Sequence, residues 1–362
     1  MTLLEIDLKK LKHNYFSLRK RLNPNTKMIG VVKANAYGSL ITPISKKLVE
    51  WGIETLAVAY ASEGVELRQN GIKTPIMVFY PQTESFRDII NNNLEPVLYS
   101  KRSWEKFVEV ANAMNHSAYP VHIKYNSGLN RIGFRPNEVE WVLKQLKKSP
   151  MVVKTVYSHL AQTESPKPDF KTEKQISSFQ QIVSKHRESV EQKPEYHILN
   201  TSGVFNYPEH HMDWVRVGIG LYGFANKPDW NESLQPIARL KTIITQIHKI
   251  EPGETVGYNC GWKAMNKTRI AVLPIGHADG FSRHYGHGKG WVLINGKKAP
   301  VVGNVCMDMI MVEIGEITCH EGSEVIIIGE DIRADKLAEN AGTISYELLS
   351  GLGNRIQRVL VE

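Results

Sequence analysis

Eight short β-rich runs, separated by stretches of helical period, fill about the first 220 residues, and that alternation admits few folds. The runs are KMIGVV, TLAVAY, PIMVFY, EPVLYS, PVHIKY, VVKTVYS, YHILN and WVRVG. Between most of them lie amphipathic segments. SKKLVEWG and EGVELRQNG each close on a glycine; SWEKFVEVANAMN, NEVEWVLKQLKK and the long TEKQISSFQQIVSKHRES follow. Parallel strands need crossovers of helical length, so count and spacing predict an N-terminal (β/α)8 TIM-like barrel. A doubly wound sheet would use fewer strands, and no G-x-G-x-x-G follows the first one. The opening MTLLEIDLKKLKHNYFSLRKRL predicts a short strand, a capping Asp7, and a helix with Leu8, Leu11, Tyr15 and Leu18 on one face.

After about residue 230 the texture changes. LKTIITQIHKI, GETVGYN, RIAVLPIG, WVLINGKKAPVVG, MIMVEIG, EVIIIG and RIQRVLVE are strands with glycine-containing turns, and Asn295-Gly296 is a hairpin signal. One helix, TISYELLSGLG, interrupts them. The expectation is a barrel over residues 1–230 and a mostly antiparallel β domain over 231–362, meeting in the polar FANKPDWNESLQP.

Composition narrows the function classes. The formal charge of +8 lies in KKLK, RKR and KQLKK, on helix faces with acids interspersed, which suits solvated surfaces and small anions better than nucleic acid. No apolar stretch is long enough for a membrane span, and residues 1–22 lack a secretory segment, so the expected address is the cytoplasm. Cys260, Cys306 and Cys319 have neither metal-site spacing nor an even count, so no disulfide framework and no metal site are expected.

Reactive groups of a barrel gather where its strands end, because the βα loops form the working face. That filter selects Lys33, Lys124, Arg131, His159, Asn200, Thr201, Ser202 and Arg216. A strand-end lysine alone is ordinarily a stem running to solvent, a lone histidine a hydrogen-bonded core residue, and NTSG alone a turn. Together they describe one ligand. A desolvated lysine forms a Schiff base with an aldehyde. The hydroxyls and amides of NTSG and VGIGLYG suit a phosphate. An imidazole stacks on a flat ring, and an arginine donates to a pyridine nitrogen. Aldehyde, phosphate, ring and ring nitrogen make up pyridoxal 5'-phosphate.

Over almost its whole length the chain resembles the alanine racemase family. VVKANAYG resembles the cofactor-lysine motif, which implies Lys33 as the Schiff-base lysine and Tyr37 as a phosphate ligand. IKYNSGLNRIGF is similar to the segment with a lysine, often carbamylated, and an arginine seven residues later; these are Lys124 and Arg131. Arg131 is implied to touch the cofactor's phenolic oxygen and the substrate carboxylate. SHLAQTES implies His159 against the ring, and NTSG implies Asn200 and Thr201, with Ser202 beside them, near the phosphate. VRVGIGLYG implies Arg216 at the ring nitrogen and Gly218 and Ile219 at the phosphate. In the second domain TVGYNCGW resembles the second-base motif, with Tyr258 as the base. VCMDM implies that Met307 and Asp308 approach the substrate from a partner subunit, and GTISYE resembles the segment whose tyrosine binds phosphate and narrows the entrance, which implies Tyr346.

The resemblance implies a two-base racemase acting on alanine, a head-to-tail homodimer with shared sites, and a supply of D-alanine for peptidoglycan synthesis. Ser39, Val217, His277, Asn304 and Leu360 depart from the family's common wording without removing a catalytic group. Three alternatives remain at this stage: a cofactor-dependent amino acid decarboxylase, which would place a carboxylate at the ring nitrogen; a racemase of broader range; and a cofactor carrier protein built from the barrel alone.

Overall fold

The computed structural model of the protein describes residues 1–149, 151–189 and 193–362. The first strands are β1 (Leu3–Asp7), β2 (Lys27–Val31), β3 (Thr55–Val58), β4 (Ile76–Val78), β5 (Glu95–Leu98), β6 (Pro120–Lys124), β7 (Val152–Tyr157), β8 (Glu195–His197) and β9 (Trp214–Val217). Strands β2 to β9 are the eight expected runs. They form one parallel sheet in the order β8-β7-β6-β5-β4-β3-β2-β9. The remaining seam is stitched by the Arg216 N–H to Leu199 O at 3.1 Å and the Asp213 N–H to Tyr196 O at 3.2 Å. These strands are buried along most of their length, as expected for a sheet with helices outside and packed side chains within.

Helix α1 (Leu8–Lys20) starts as its sequence predicts. Asp7 Oδ1 accepts from the Lys10 N–H at 2.9 Å, and Leu8, Leu11, Tyr15 and Leu18 are buried. Asn14 lies on the same face, where periodicity alone gave it no role. Its amide donates to the carbonyls of Leu221 (3.0 Å) and Gln235 (2.7 Å) and accepts from the Gln235 N–H (2.7 Å). A buried carboxamide thus satisfies the backbone that leaves the barrel.

The second sheet adds β10 (Ala238–Ile243), β11 (Gln246–Ile250), β14 (Thr268–Leu273), β15 (Trp291–Ile294), β16 (Lys297–Val302), β17 (Ile310–Glu313), β18 (Glu324–Ile328) and β19 (Gln357–Val361). Two-residue strands β12 (Thr255–Val256) and β13 (Trp262–Lys263) pair apart from it. Its order is β11-β14-β17-β16-β15-β18-β10-β1-β19, so the first strand of the chain lies inside the second sheet, antiparallel to β10 and parallel to β19. Asn295 and Gly296, with φ of 49° and 72°, make the expected tight hairpin between β15 and β16. Near the end the structure has two helices, Ala334–Asn340 and Ser345–Ser350, where the sequence suggested one. The first is seven residues long and too short for a helical period to show.

Candidate active site

Lys33 leaves the barrel two residues beyond β2, and the chain then turns the unusual way. Ala34, Asn35, Ala36 and Tyr37 have φ between 50° and 54°, and Gly38 follows at 79°. A left-handed conformation costs a non-glycine residue about 1–2 kcal/mol. Tertiary bonds hold it. Asn35 Oδ1 accepts from the Ile41 N–H at 2.9 Å, and the Glu63 carboxylate accepts from the N–H groups of Ala34 (2.6 Å), Ala59 (2.7 Å) and Tyr60 (3.1 Å). The turn also buries Tyr37, whose ring stacks on Tyr222 at 4.5 Å, while the Tyr222 hydroxyl donates to Val31 O at 3.1 Å.

Above the strand ends lies a cavity of about 650 Å³. Lys33, Tyr37, Lys124, Arg131, His159, Asn200, Thr201, Arg216, Gly218, Ile219 and Tyr346 line it. These expected site residues therefore converge, although they come from separate loops and from both ends of the chain. Its charged lining is cationic, with no Asp or Glu among the described residues that form it. Burial, followed by Arg131, lowers the Lys33 pKa, with Glu63 acting in the opposite sense. Lys124 is pushed down to about 7 by burial and then by Arg131, Arg216 and Lys33. Burial, with Arg216 the largest charge, drives His159 well below its ordinary value, so its imidazole is neutral.

Arg216 is held from several sides. Its Nη2 donates to Ser158 O (2.9 Å), Ile198 O (3.0 Å) and His159 Nδ1 (3.1 Å), and its Nη1 donates to His197 Nδ1. A guanidinium has no acceptor, so both histidines present a bare Nδ1 to it. Beside it, Thr201 Oγ1 accepts from the N–H groups of Gly218 (3.2 Å) and Gly220 (3.3 Å). A Cβ at Gly218 would strike the Tyr37 hydroxyl, so glycine is what lets the phenol reach this corner. Asn226 donates to Ser202 Oγ (3.0 Å) and Tyr346 Oη (3.1 Å), tying the second domain to the cup. Asn200 caps its own helix, accepting from the Gly203 N–H at 3.0 Å and from Thr163 Oγ1 at 2.8 Å.

Tyr258, Met307 and Asp308 lie elsewhere. They line a separate, largely apolar groove with His248, Val256 and Met309. Tyr258 is 70% exposed and Met307 59%. Asp308 pairs with Arg355 at 2.8 Å. The Tyr258 loop is built to stand out: Gly257, Asn259 and Cys260 have φ of 77°, 59° and 49°. Asn304 braces it, donating to Tyr258 O at 2.9 Å while accepting from Arg283 and His287, each at 3.2 Å.

Sequence reasoning missed Tyr222, Glu63 and His197. Tyr222 could have been noticed within VGIGLYG, and His197 as the buried polar residue of YHILN. Glu63 gave no local signal, since its partners are made by the fold. Among the described residues no group of three or more His, Cys, Asp or Glu could hold a metal.

Comparison with known proteins agrees across the whole chain. The model of the alanine racemase N-terminal domain matches residues 6–226, and that of the C-terminal domain residues 237–360. Alanine racemase 1 of Clostridium acetobutylicum is 37% identical over 369 residues, covering 99% of this chain and 95% of its own. An alanine racemase of Clostridium difficile 630 superposes with a TM-score of 0.92 at 34% identity, over 100% of this chain and 96% of that one. One from Bacillus anthracis, solved with bound L-Ala-P, gives 0.91 at 29% identity, over 100% and 95%.

Proposed function

The chain belongs to the alanine racemase family, an isomerase family dependent on pyridoxal 5'-phosphate, and we propose that it inverts alanine with Lys33 and Tyr258 as bases on opposite faces. The observation that carries the assignment of roles is the cavity. A desolvated lysine, a buried arginine and a cup of hydroxyls and glycine amides surround a space lined by cations and no acid. Those residues fit the cofactor. Lys33 would hold its aldehyde, and Tyr37, Thr201, Ser202, Gly218, Ile219 and Tyr346 would surround its phosphate, with Asn200 adjoining. His159 would lie against the ring, Arg216 would donate to the ring nitrogen, and Arg131 would meet the phenolic oxygen and the alanine carboxylate. When bound, the cofactor supplies the electron-withdrawing ring that acidifies the alanine Cα–H.

The protein's own groups then move the proton. The lowered Lys33 pKa leaves more free amine near neutrality, so Lys33 can take a proton from one face. A phenol with an ordinary pKa of about 10 needs help to act as the other base. Neutral His159, with Nδ1 occupied by Arg216, keeps its hydrogen on Nε2, where it would serve as a donor for the phenolic oxygen of the partner subunit's Tyr258. Because Arg216 donates and keeps its own proton, it holds the ring nitrogen as an acceptor. That limits charge delocalisation and favours reprotonation at Cα over side reactions.

Exposed Tyr258 and the apolar groove around Met307 support a head-to-tail homodimer in which each β domain completes the partner's barrel site, with Met307 and Asp308 beside the substrate. Lys124, lowered to about 7 so that much of it is free amine near neutrality, lies close enough to Arg131 to be affected by its charge and suits carbamylation. The proposed setting is the cytoplasm, supplying D-alanine for peptidoglycan. Three free cysteines support a reducing compartment, and no helix among the described residues is long and apolar enough to cross a membrane.

Subunit mixing tests the arrangement. The wild type with cofactor should abolish the optical rotation of L-alanine, and Lys33→Ala and Tyr258→Phe should each be nearly inactive. A random mixture should regain about one quarter of wild-type activity, because half the dimers are mixed and each has one intact site. No recovery, with subunit exchange demonstrated by mass, would place both bases in one chain.

A further inference from the structure

Arg216 is one end of a hydrogen-bonded chain that crosses the barrel. His197 Nε2 lies 2.9 Å from Thr155 Oγ1, Thr155 Oγ1 lies 2.8 Å from His122 Nδ1, and His122 Nε2 lies 2.9 Å from Glu95 Oε2. The five residues come one each from β9, β8, β7, β6 and β5; the last four strands are consecutive in the sheet, and β9 faces β8 across the seam. They descend from the strand ends at Arg216 and His197 to the first residue of β5, Glu95. Arg216, His197, Thr155 and His122 are at most 3% exposed. A barrel interior is ordinarily filled by branched apolar layers, so a continuous polar line there is a departure that packing does not require.

For one proton on each imidazole, the direction of every bond follows from the two ends. A guanidinium can only donate and a carboxylate can only accept. Arg216 therefore leaves His197 Nδ1 bare and puts the hydrogen on Nε2, which donates to Thr155. The threonine hydroxyl donates to His122 Nδ1, and the His122 Nε2–H donates to Glu95. Burial raises the Glu95 pKa, but His122, through its hydrogen bond and any charge it carries, followed by Lys154 and Arg68, more than offsets that, so the carboxyl sits below its ordinary value and remains ionised. The chain thus links a buried cation, whose cavity offers no acid, to a carboxylate at the far end of the barrel.

Building on the proposed role of Arg216, we propose that Thr155, His122 and Glu95 are positioning residues. They lock His197 in its Nε2–H tautomer and so fix the guanidinium that faces the cofactor's ring nitrogen. Remove the hydroxyl and His197 can place its proton on Nδ1, against the N–H groups of Arg216, which must then shift.

The test uses holoenzyme labelled with [15N]histidine. Wild type should show His197 and His122 each as a single tautomer protonated at Nε2. Thr155→Val, which keeps the volume, should lose that pattern at His197. Its kcat should fall about 10- to 100-fold, the range in which outer partners of an orienting imidazole act. KM for alanine should change little, because the substrate carboxylate is assigned to Arg131. Thr155→Ser should restore both the tautomer and most of kcat, and Glu95→Gln should weaken both. Overturning results are an unchanged His197 tautomer in Thr155→Val and Glu95→Gln, or a Thr155→Ser enzyme as impaired as Thr155→Val, which would make the site one of packing. If wild type failed to racemise alanine, the function proposed above would fail while the imidazole spectra still decided the relay.

Discussion

Lys124 is the side chain whose surroundings suit its charge least. It is 6% exposed, and the charges that bear on it, Arg131, Arg216 and Lys33, are all positive. An amine lowered from 10.5 to about 7 makes folding depend on pH. Between those values the unfolded chain binds a proton that the folded chain does not, so stability rises with pH across that window. Urea denaturation of the apoprotein should show that slope, worth up to about 5 kcal/mol from this one group. Lys124→Met should flatten it and be the more stable protein at pH 7.5. Bicarbonate should stabilise the wild type and not Lys124→Met, since a carbamate replaces a cation by an anion facing Arg131. An unchanged slope in Lys124→Met would mean that the amine reaches solvent. At this scale the sequence was informative about identity and silent about environment. Position at a strand end singled out Lys33, Lys124 and Arg216, but which charges stand beside them depends on loops that meet only when the barrel forms.

The left-handed turn after β2 is the element that fixes where Lys33 points, and its support and its strain can be separated. Glu63→Ala removes an acceptor from three backbone N–H groups and should destabilise the protein by about 2–4 kcal/mol in urea, with Glu63→Gln recovering part. Ala34→Gly should act in the opposite sense. It relieves a left-handed alanine and should stabilise by up to about 1 kcal/mol after the extra freedom of glycine in the unfolded chain is counted. If both substitutions destabilised equally, the turn would not be strained. None of this was readable in KANAYG. Alanine and tyrosine have no left-handed preference, and the carboxylate that imposes the turn is 29 residues away. Asn295-Gly296 is the contrasting case, where the residues that adopt positive φ are themselves the signal. The same reasoning explains why eight barrel strands were legible while the polar line through them was not. Period and spacing report which face is buried; strand tilt decides which buried side chains touch.

For the molecule as a whole, β1 makes the two sheets interdependent. Leu3–Asp7 fills the place between β10 and β19, and among the described residues β19 has no other strand beside it. Thr2 extends the seam, its hydroxyl bonding Thr242 Oγ1 and Pro274 O, each at 2.7 Å. The second sheet in turn supports the site. Arg358 donates to Gly38 O at 3.0 Å, and the Leu349 carbonyl lies where a Cβ on Gly38 would be, so the C-terminal segment is packed against the turn that carries Lys33. A polypeptide of residues 232–362 should therefore fail to fold cooperatively, because β10 becomes a bare edge and β19 is left unpaired. The register suggests the repair. Ile6 opposes Ala238, and the Asp7 N–H donates to Ile237 O at 2.9 Å, so the first strand ends where the tenth begins. Joining Asp7 to Ile237 through a two-residue Asn-Gly turn makes them an ordinary hairpin. That shortened chain should show near-ultraviolet circular dichroism and a single urea transition, and the piece without β1 should show neither. Equal stability of the two would mean that the first strand is an ornament on the second sheet. Loss of structure in both would mean that the sheet also needs the barrel, with Arg358, Tyr346 and the turn at Gly38 as the contacts it lacks.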